Sequence, residues 1–193
     1  MTYPDGETAS YAYDPMGNRM AVTSTVDGTT AYTYDAADRL LTAGGDTFGW
    51  DANGRMITRT YGTDTATYTH DPLHRLTRVI SGTADVAFAY NGDGARVGKN
   101  VNGTQTDYVQ DVAGSLPVVV AETTADQTSS YVYGNDLLTW VSPGGTPRFY
   151  HQDGLGSVRA LSNLASQRAA AYSYDTFGSL RSHTASASQS FGF

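Results

Sequence analysis

The stretch Tyr11-Ala12-Tyr13-Asp14-Pro15-Met16-Gly17-Asn18-Arg19-Met20 returns in altered form as Ala171-Tyr172-Ser173-Tyr174-Asp175-Thr176-Phe177-Gly178-Ser179-Leu180-Arg181-Ser182. Each copy places an aromatic before an Asp, a Gly three residues after that Asp, and an Arg shortly downstream. Between the copies the same elements recur as Tyr34-Asp35-Ala36-Ala37-Asp38, Trp50-Asp51-Ala52-Asn53-Gly54, His70-Asp71-Pro72-Leu73-His74 and Tyr90-Asn91-Gly92-Asp93-Gly94. The following arginines are Arg19, Arg39, Arg55, Arg75 and Arg96, spaced 20, 16, 20 and 21 residues apart. A period near 20 with variable loops is the mark of a tandem repeat.

The fourth position of each element identifies it as a turn. Gly17, Asp38, Gly54, His74 and Gly94 stand there, and Gly156 and Gly178 follow in later copies. Gly tolerates positive φ freely, and Asn, Asp and His are the side chains most enriched there. The first position is Asp14, Asp35, Asp51, Asp71, Asn91, Asp153 or Asp175, whose side chain can accept from backbone N–H groups further on. Pro15 and Pro72 at the second position suit a type I turn. Together these predict a hairpin loop of a type I turn, a left-handed residue and a bulge. A second kind of turn alternates with the first, at Asp27-Gly28, Gly44-Gly45-Asp46, Gly62-Thr63-Asp64, Ser81-Gly82-Thr83 and Asn102-Gly103. The segments between turns have strand length. Pairs such as Tyr11/Tyr13, Tyr32/Tyr34, Phe88/Tyr90, Tyr131/Tyr133 and Tyr172/Tyr174 put two aromatics on one sheet face. The prediction is all-β, a long antiparallel meander of hairpins, with a short helical turn within Leu161–Ala171 as the one exception.

Composition agrees. The chain has 193 residues, 14 Tyr, 21 Gly and no Cys, which excludes disulfides, thiolate metal sites and Cys nucleophiles. With 19 acidic against 12 basic residues the net charge is -7, a poor match to a phosphate backbone, so no nucleic-acid partner is expected. No apolar run approaches the ~20 residues of a membrane span, and the first residues read as no signal peptide.

The Tyr-Asp turns resemble the YD-repeat, or RHS-repeat, family, whose pattern is Tyr-Asp, two residues, Gly, then Arg-Leu. Tyr34-Asp35 with Arg39-Leu40, and Tyr174-Asp175 with Gly178-Ser179-Leu180, carry the likeness. Arg148-Phe149-Tyr150-His151-Gln152-Asp153-Gly154-Leu155-Gly156-Ser157-Val158-Arg159-Ala160-Leu161, followed by Ala171–Gly178, resembles the start of the RHS-associated core. The resemblance implies YD repeats over residues 3–148 and the beginning of that core over 149–193. It implies a curled sheet, a section of the hollow shell that such repeats build in polymorphic toxins, in toxin-complex C components and in teneurins. In bacterial members the shell encloses a C-terminal toxin, which the core releases by aspartate-dependent self-cleavage. The chain is expected to be a fragment: it begins in mid-repeat at Tyr3-Pro4-Asp5-Gly6 and ends at Ser190-Phe191-Gly192-Phe193, short of the cleavage aspartates. The expected function is therefore structural and non-catalytic, with no cofactor. Its partners are the rest of the parent RHS polypeptide and its C-terminal cargo, within a secreted or cell-surface bacterial protein. Edge strands left by a cut meander predict self-association, or a curled sheet in which the chain ends cover those edges.

Sharper readings compete with architecture. Paired carboxylates could catalyse hydrolysis, but Asp14, Asp35, Asp51 and Asp71 sit in equivalent slots one hairpin apart. Asn91-Gly92-Asp93-Gly94 is the best local candidate for calcium and supplies two side-chain oxygen donors. His70 and His74 have a metal-like spacing, interrupted by Pro72. His151 reads as structural, and Gly154-Leu155-Gly156-Ser157 is no nucleophile elbow. Each repeat Arg can reach its own turn Asp, the neighbouring Asp or a Tyr ring, or stand solvated. The Tyr13, Tyr34, Trp50, Tyr90, Tyr150 and Tyr174 series, with Trp140, forms either the packed face of a sheet or a stacking surface for glycans or a protein partner.

Overall fold

The computed structural model describes residues 1–3, 6–114 and 116–185. Pro4, Asp5 and the expected end of the core segment over 186–193 lie outside the described residues. Eighteen strands and no helix occupy the described part. They are β1 (Ala9–Tyr13), β2 (Arg19–Ser24), β3 (Gly28–Tyr34), β4 (Leu40–Ala43), β5 (Asp46–Trp50), β6 (Met56–Tyr61), β7 (Asp64–His70), β8 (Leu76–Ser81) and β9 (Ala84–Tyr90). Then follow β10 (Arg96–Val101), β11 (Thr104–Asp111), β12 (Val118–Thr124), β13 (Gln127–Tyr133), β14 (Leu137–Val141), β15 (Pro147–Gln152), β16 (Val158–Ser162), β17 (Arg168–Tyr174) and β18 (Leu180–Ala185).

The chain divides into two units: residues 1–88 with 100–102, and residues 89–99 with 103–193. In the first, β1 to β9 pair antiparallel, each with its neighbour in the chain. Before β1 the chain doubles back: Met1 exchanges backbone bonds with Ala9, and Thr2 bridges Thr8. In the second unit β11 to β18 pair in the same sequential way. Both are antiparallel meanders, as the alternation of turn signals predicts.

The two kinds of turn differ in register. At the Tyr-Asp turns the ladder slips by one residue at or just before the aromatic: Tyr13 pairs with Arg19, Tyr34 with Leu40, Trp50 with Met56, His70 with Leu76 and Tyr174 with Leu180. That slip is the bulge that a type I turn needs to match the strand twist. The intervening hairpins β2–β3, β6–β7 and β8–β9 run without a slip.

The helical turn expected within Leu161–Ala171 is absent. Leu161 lies in β16, Arg168–Ala171 in β17, and Asn163–Gln167 form another turn between them. The three alanines Ala169–Ala171 favour helix intrinsically, but ladder pairing such as Ala171 with Ala160 overrides the propensity. The 148/149 division drawn from the repeat pattern falls inside β15.

Burial is unequal. In the second unit Tyr131, Leu137, Tyr150, Val158, Leu161 and Ala170 form a buried cluster, with Val119, Tyr133, Trp140 and Tyr172 packed on it. The buried apolar residues of the first unit are Ala9 and Ala66, among the described residues.

Candidate functional site

The Tyr-Asp turns share one construction. The backbone N–H of the first residue donates to the carbonyl of the fifth, and the N–H of the fourth donates back to the carbonyl of the first. Asp35 and Arg39 are joined at 3.0 Å and Asp38 and Asp35 at 3.1 Å; Asp51, Asp71, Asn91, Asp153 and Asp175 repeat the pattern. The fourth residue is left-handed in every case, including Asp38 at φ 57° and His74 at φ 64°. Such a conformation costs an ordinary L-residue about 1–2 kcal/mol, which restricts the slot to Gly, Asn, Asp and their like.

The side chain of the first residue caps its own turn. One oxygen, Oδ1, accepts from the backbone N–H groups of the third and fifth residues. At Asp51 the donors are Asn53 and Arg55, both at 2.9 Å; at Asp71 they are Leu73 and Arg75, both at 2.9 Å. Asn91 and Asp153 do the same, so a carboxamide serves as well as a carboxylate.

The second oxygen links hairpins. Asp35, Asp51 and Asp71 use Oδ2 to hold the Nε of Arg39, Arg55 and Arg75 at 2.7, 2.6 and 2.6 Å. The guanidinium then reaches onward: Nη1 of Arg39 donates to the carbonyl of Asp51, and Nη1 of Arg55 to the carbonyl of Asp71, both at 3.2 Å. Each rung therefore joins one Tyr-Asp turn to the next. In the first turn Asn18 stands in for the Arg, donating from Nδ2 to Asp14 at 3.0 Å and to Asp38 at 2.8 Å.

The preceding aromatic makes a second stitch, in the opposite direction along the chain. Tyr34 donates its hydroxyl to the carbonyl of Arg19, Trp50 its indole N–H to that of Leu40, and Tyr174 its hydroxyl to that of Val158. In each case the acceptor is the fifth residue after the previous Asp on the same edge. Tyr150 departs from the pattern: it precedes His151, lies in the buried cluster, and its hydroxyl has no hydrogen-bond partner among the described residues. Burial pushes its phenol well above the ordinary 10.0.

The arginines aligned by sequence fall into two chemical groups. Arg39, Arg55 and Arg75 lie four residues after the turn acid and pair with it. Arg19 and Arg96 lie five residues after and Arg159 six, and these sit over the rings of Tyr32 at 4.4 Å, Tyr108 at 5.5 Å and Tyr174 at 6.0 Å. The offset-four arginines belong to the turn and precede their strands, whereas Arg19, Arg96 and Arg159 lie within β2, β10 and β16. Two further turns with the same backbone pattern, Ser142–Thr146 and Asn163–Gln167, escape the sequence reading because Ser occupies a key slot in each. Asn163 followed by the polar Gln167 was the usable signal.

Electrostatics match this geometry. The Arg39 guanidinium, then its backbone N–H, holds the Asp35 carboxyl below its ordinary value. At Asp51 the backbone N–H of Arg55 does most to lower the value, ahead of its guanidinium. At Asp71 and Asp14 partial burial opposes ionisation, and the bonds from Arg75 and from Asn18 outweigh it. A carboxylate committed to three donors is a poor base and a poor nucleophile. Among the described residues no group of three or more acidic or His side chains is placed to hold a metal. His70 and His74 sit at the end of β7 and in the left-handed slot. His151 Nε2 lies 2.8 Å from Ser162 Oγ on the neighbouring strand.

The family model described as Teneurin YD-shell matches residues 1–193. The tRNA3(Ser)-specific nuclease WapA of Bacillus spizizenii is 34% identical over 187 residues, which is 92% of this chain and 8% of that protein. The tRNA nuclease WapA of Bacillus subtilis (strain 168) is 33% identical over 186 residues, again 92% and 8%. The chain thus spans about 8% of the length of the curated relatives it matches. Among solved structures, the TcdB2-TccC3-Cdc42 crystal structure is similar in fold, with a TM-score of 0.53 and 13% identity over 92% of this chain and 13% of that one. On the match across all 193 residues, and on the repeated Tyr-Asp turns that carry it, the chain belongs to the Teneurin YD-shell family.

Proposed function

We propose that this chain is a non-catalytic section of wall in a larger, secreted or cell-surface bacterial protein, whose shell encloses or displays a C-terminal effector. On this reading residues 3–148 are YD repeats and residues 149–193 begin the RHS-associated core. The observation that carries the reading is the rung: Asp35 and Asp51 hold the arginines that reach the next turn, and Asp71 holds Arg75 in the same way within its own turn. The family match and the nuclease relatives, of which this chain covers a small part, support the idea of a scaffold joined to a separate activity. The alternative, a glycan- or protein-binding surface on the Tyr face, has less support, because Tyr34, Trp50 and Tyr174 engage backbone carbonyls and Tyr131 and Tyr150 are buried.

The test begins with the intact mass and sequence of the parent polypeptide. Limited proteolysis of that parent then compares its C-terminal segment in place and expressed alone. Protection in place supports enclosure. Equal cleavage of the two, or a parent that ends at Phe193, removes the enclosure reading. An unpaired outer strand of a meander can pair with another chain, so self-association of the isolated chain in sedimentation is expected. A strictly monomeric chain at high concentration would count against that.

A further inference from the structure

We propose that Asn53-Gly54, at the tip of the β5–β6 turn, is a self-deamidation site, and that the fold selects it over the chain's other two Asn-Gly pairs. Those are Asn91-Gly92 and Asn102-Gly103. In each pair the following Gly carries no side chain to shield its amide nitrogen. By sequence alone the three are equivalent.

The structure separates them by what holds the Asn carboxamide. Asn91 Oδ1 accepts from Asp93 N at 3.1 Å and Ala95 N at 2.9 Å, so its side chain is the cap of its turn. Asn102 Oδ1 accepts from Asp85 N at 2.7 Å. Asn53 occupies the third turn position, not the first. Its side chain is exposed and makes no hydrogen bond among the described residues. The space where a Gly54 Cβ would stand is open. One exposed bond restrains the nucleophile, Gly54 N to Asp51 O at 3.1 Å.

The step balances without a further reagent except water. Gly54 N bonds to Asn53 Cγ, the Cγ–Nδ2 bond breaks, and ammonia leaves with the amide proton. Water then opens the resulting succinimide at either carbonyl, leaving an aspartate or an isoaspartate at position 53. The isoaspartate form adds one carbon to the main chain inside the turn that positions Arg55, so the link from Arg55 to Asp71 is expected to loosen.

The test is peptide mapping of the full chain aged at mildly alkaline pH, native and in denaturant side by side. Trypsin separates the three pairs into Leu40–Arg55, Val79–Arg96 and Asn100–Arg148, and fragment sequencing assigns the converted residue. In the native chain Asn53 should convert on the order of tenfold faster than Asn91 or Asn102, because those two must first give up side-chain hydrogen bonds. In denaturant the three should convert at similar rates, and Asn53→Gln should abolish conversion in Leu40–Arg55. Equal native rates, a lead by Asn91 or Asn102, or an unconverted Asn53 in a native chain whose denatured control converts would each overturn the proposal.

Discussion

In the first unit the residue four places after the first turn position is Asn18, Arg39, Arg55 or Arg75; in the second unit it is Ala95, Thr146, Ser157, Gln167 or Ser179. The guanidinium rungs therefore belong to the first unit, where Ala9 and Ala66 are the buried apolar residues among those described. The second unit keeps the caps and loses these rungs, and it buries Tyr131, Leu137, Tyr150, Val158, Leu161 and Ala170 instead. The contrast shows two ways to couple successive hairpins of a meander: polar links between turns, or aromatic and aliphatic side chains clustered together.

The largest expected effect falls on the second unit. Leu161 has no exposed surface, so Leu161→Ala should cost about 2–5 kcal/mol through lost transfer energy and a residual cavity. Trp140 packs on the cluster and Trp50 lies in the first unit, so tryptophan fluorescence in single-Trp variants can follow each separately. The Trp140 unfolding transition should shift strongly and the Trp50 transition little. Equal shifts would mean that the two units do not differ as described.

Opposite pH limits should sharpen the same comparison. Asp14, Asp35, Asp51, Asp71 and Asp85 are held below the ordinary 3.8 in the first unit. Their contribution to stability is present above that value and is lost as pH falls through the lowered folded values. Tyr133, Tyr150, Tyr172 and Tyr174 are raised above 10.0 by burial in the second unit. Their contribution is full below pH 10.0 and is lost as pH rises through the raised values. Acid should therefore unfold the Trp50 signal first, and alkali the Trp140 signal first. The same order at both ends would break the assignment.

Next in size, Asp51→Ala removes both the cap and the rung, whereas Asp51→Asn keeps the cap, as Asn91 does naturally. The Ala variant should lower the melting temperature of the first unit distinctly more than the Asn variant. Equal losses would place the whole effect in the charge. The smallest effect concerns a turn that the repeat reading passed over: Ala125 and Asp126 are both left-handed, at φ 48° and 63°. Ala125→Gly should relieve that strain and raise the stability of the second unit by up to about 1 kcal/mol in denaturant titration.

Much of this was legible because turn chemistry is local. Gly, Asp and His in the fourth slot each announce positive φ, and Asp14-Pro15 and Asp71-Pro72 announce the start of a type I turn. What escaped depends on offsets or on distance. Arg19 and Arg39 look equivalent until they are counted from the turn acid, when four residues rather than five decides between an ion pair and a ring contact. The turn at Asn163 was hidden by Ser166 in a slot that usually holds Gly, and the alanines after it imitated a helix. The division into two units could not be read locally, because Tyr131, Tyr150 and Ala170 meet through strands far apart in sequence.

The most direct test of the rung is hydrogen exchange on Arg55→Ala, read by mass spectrometry. Arg55 lies in the turn at residues 51–55, while its Nη1 bonds to the carbonyl of Asp71 in the next Tyr-Asp turn. Protection should fall in both turns, at 51–55 and at 71–75, with the second unit unchanged. A loss confined to 51–55 would show that the guanidinium serves its own turn alone and that hairpins of the first unit are not coupled through it.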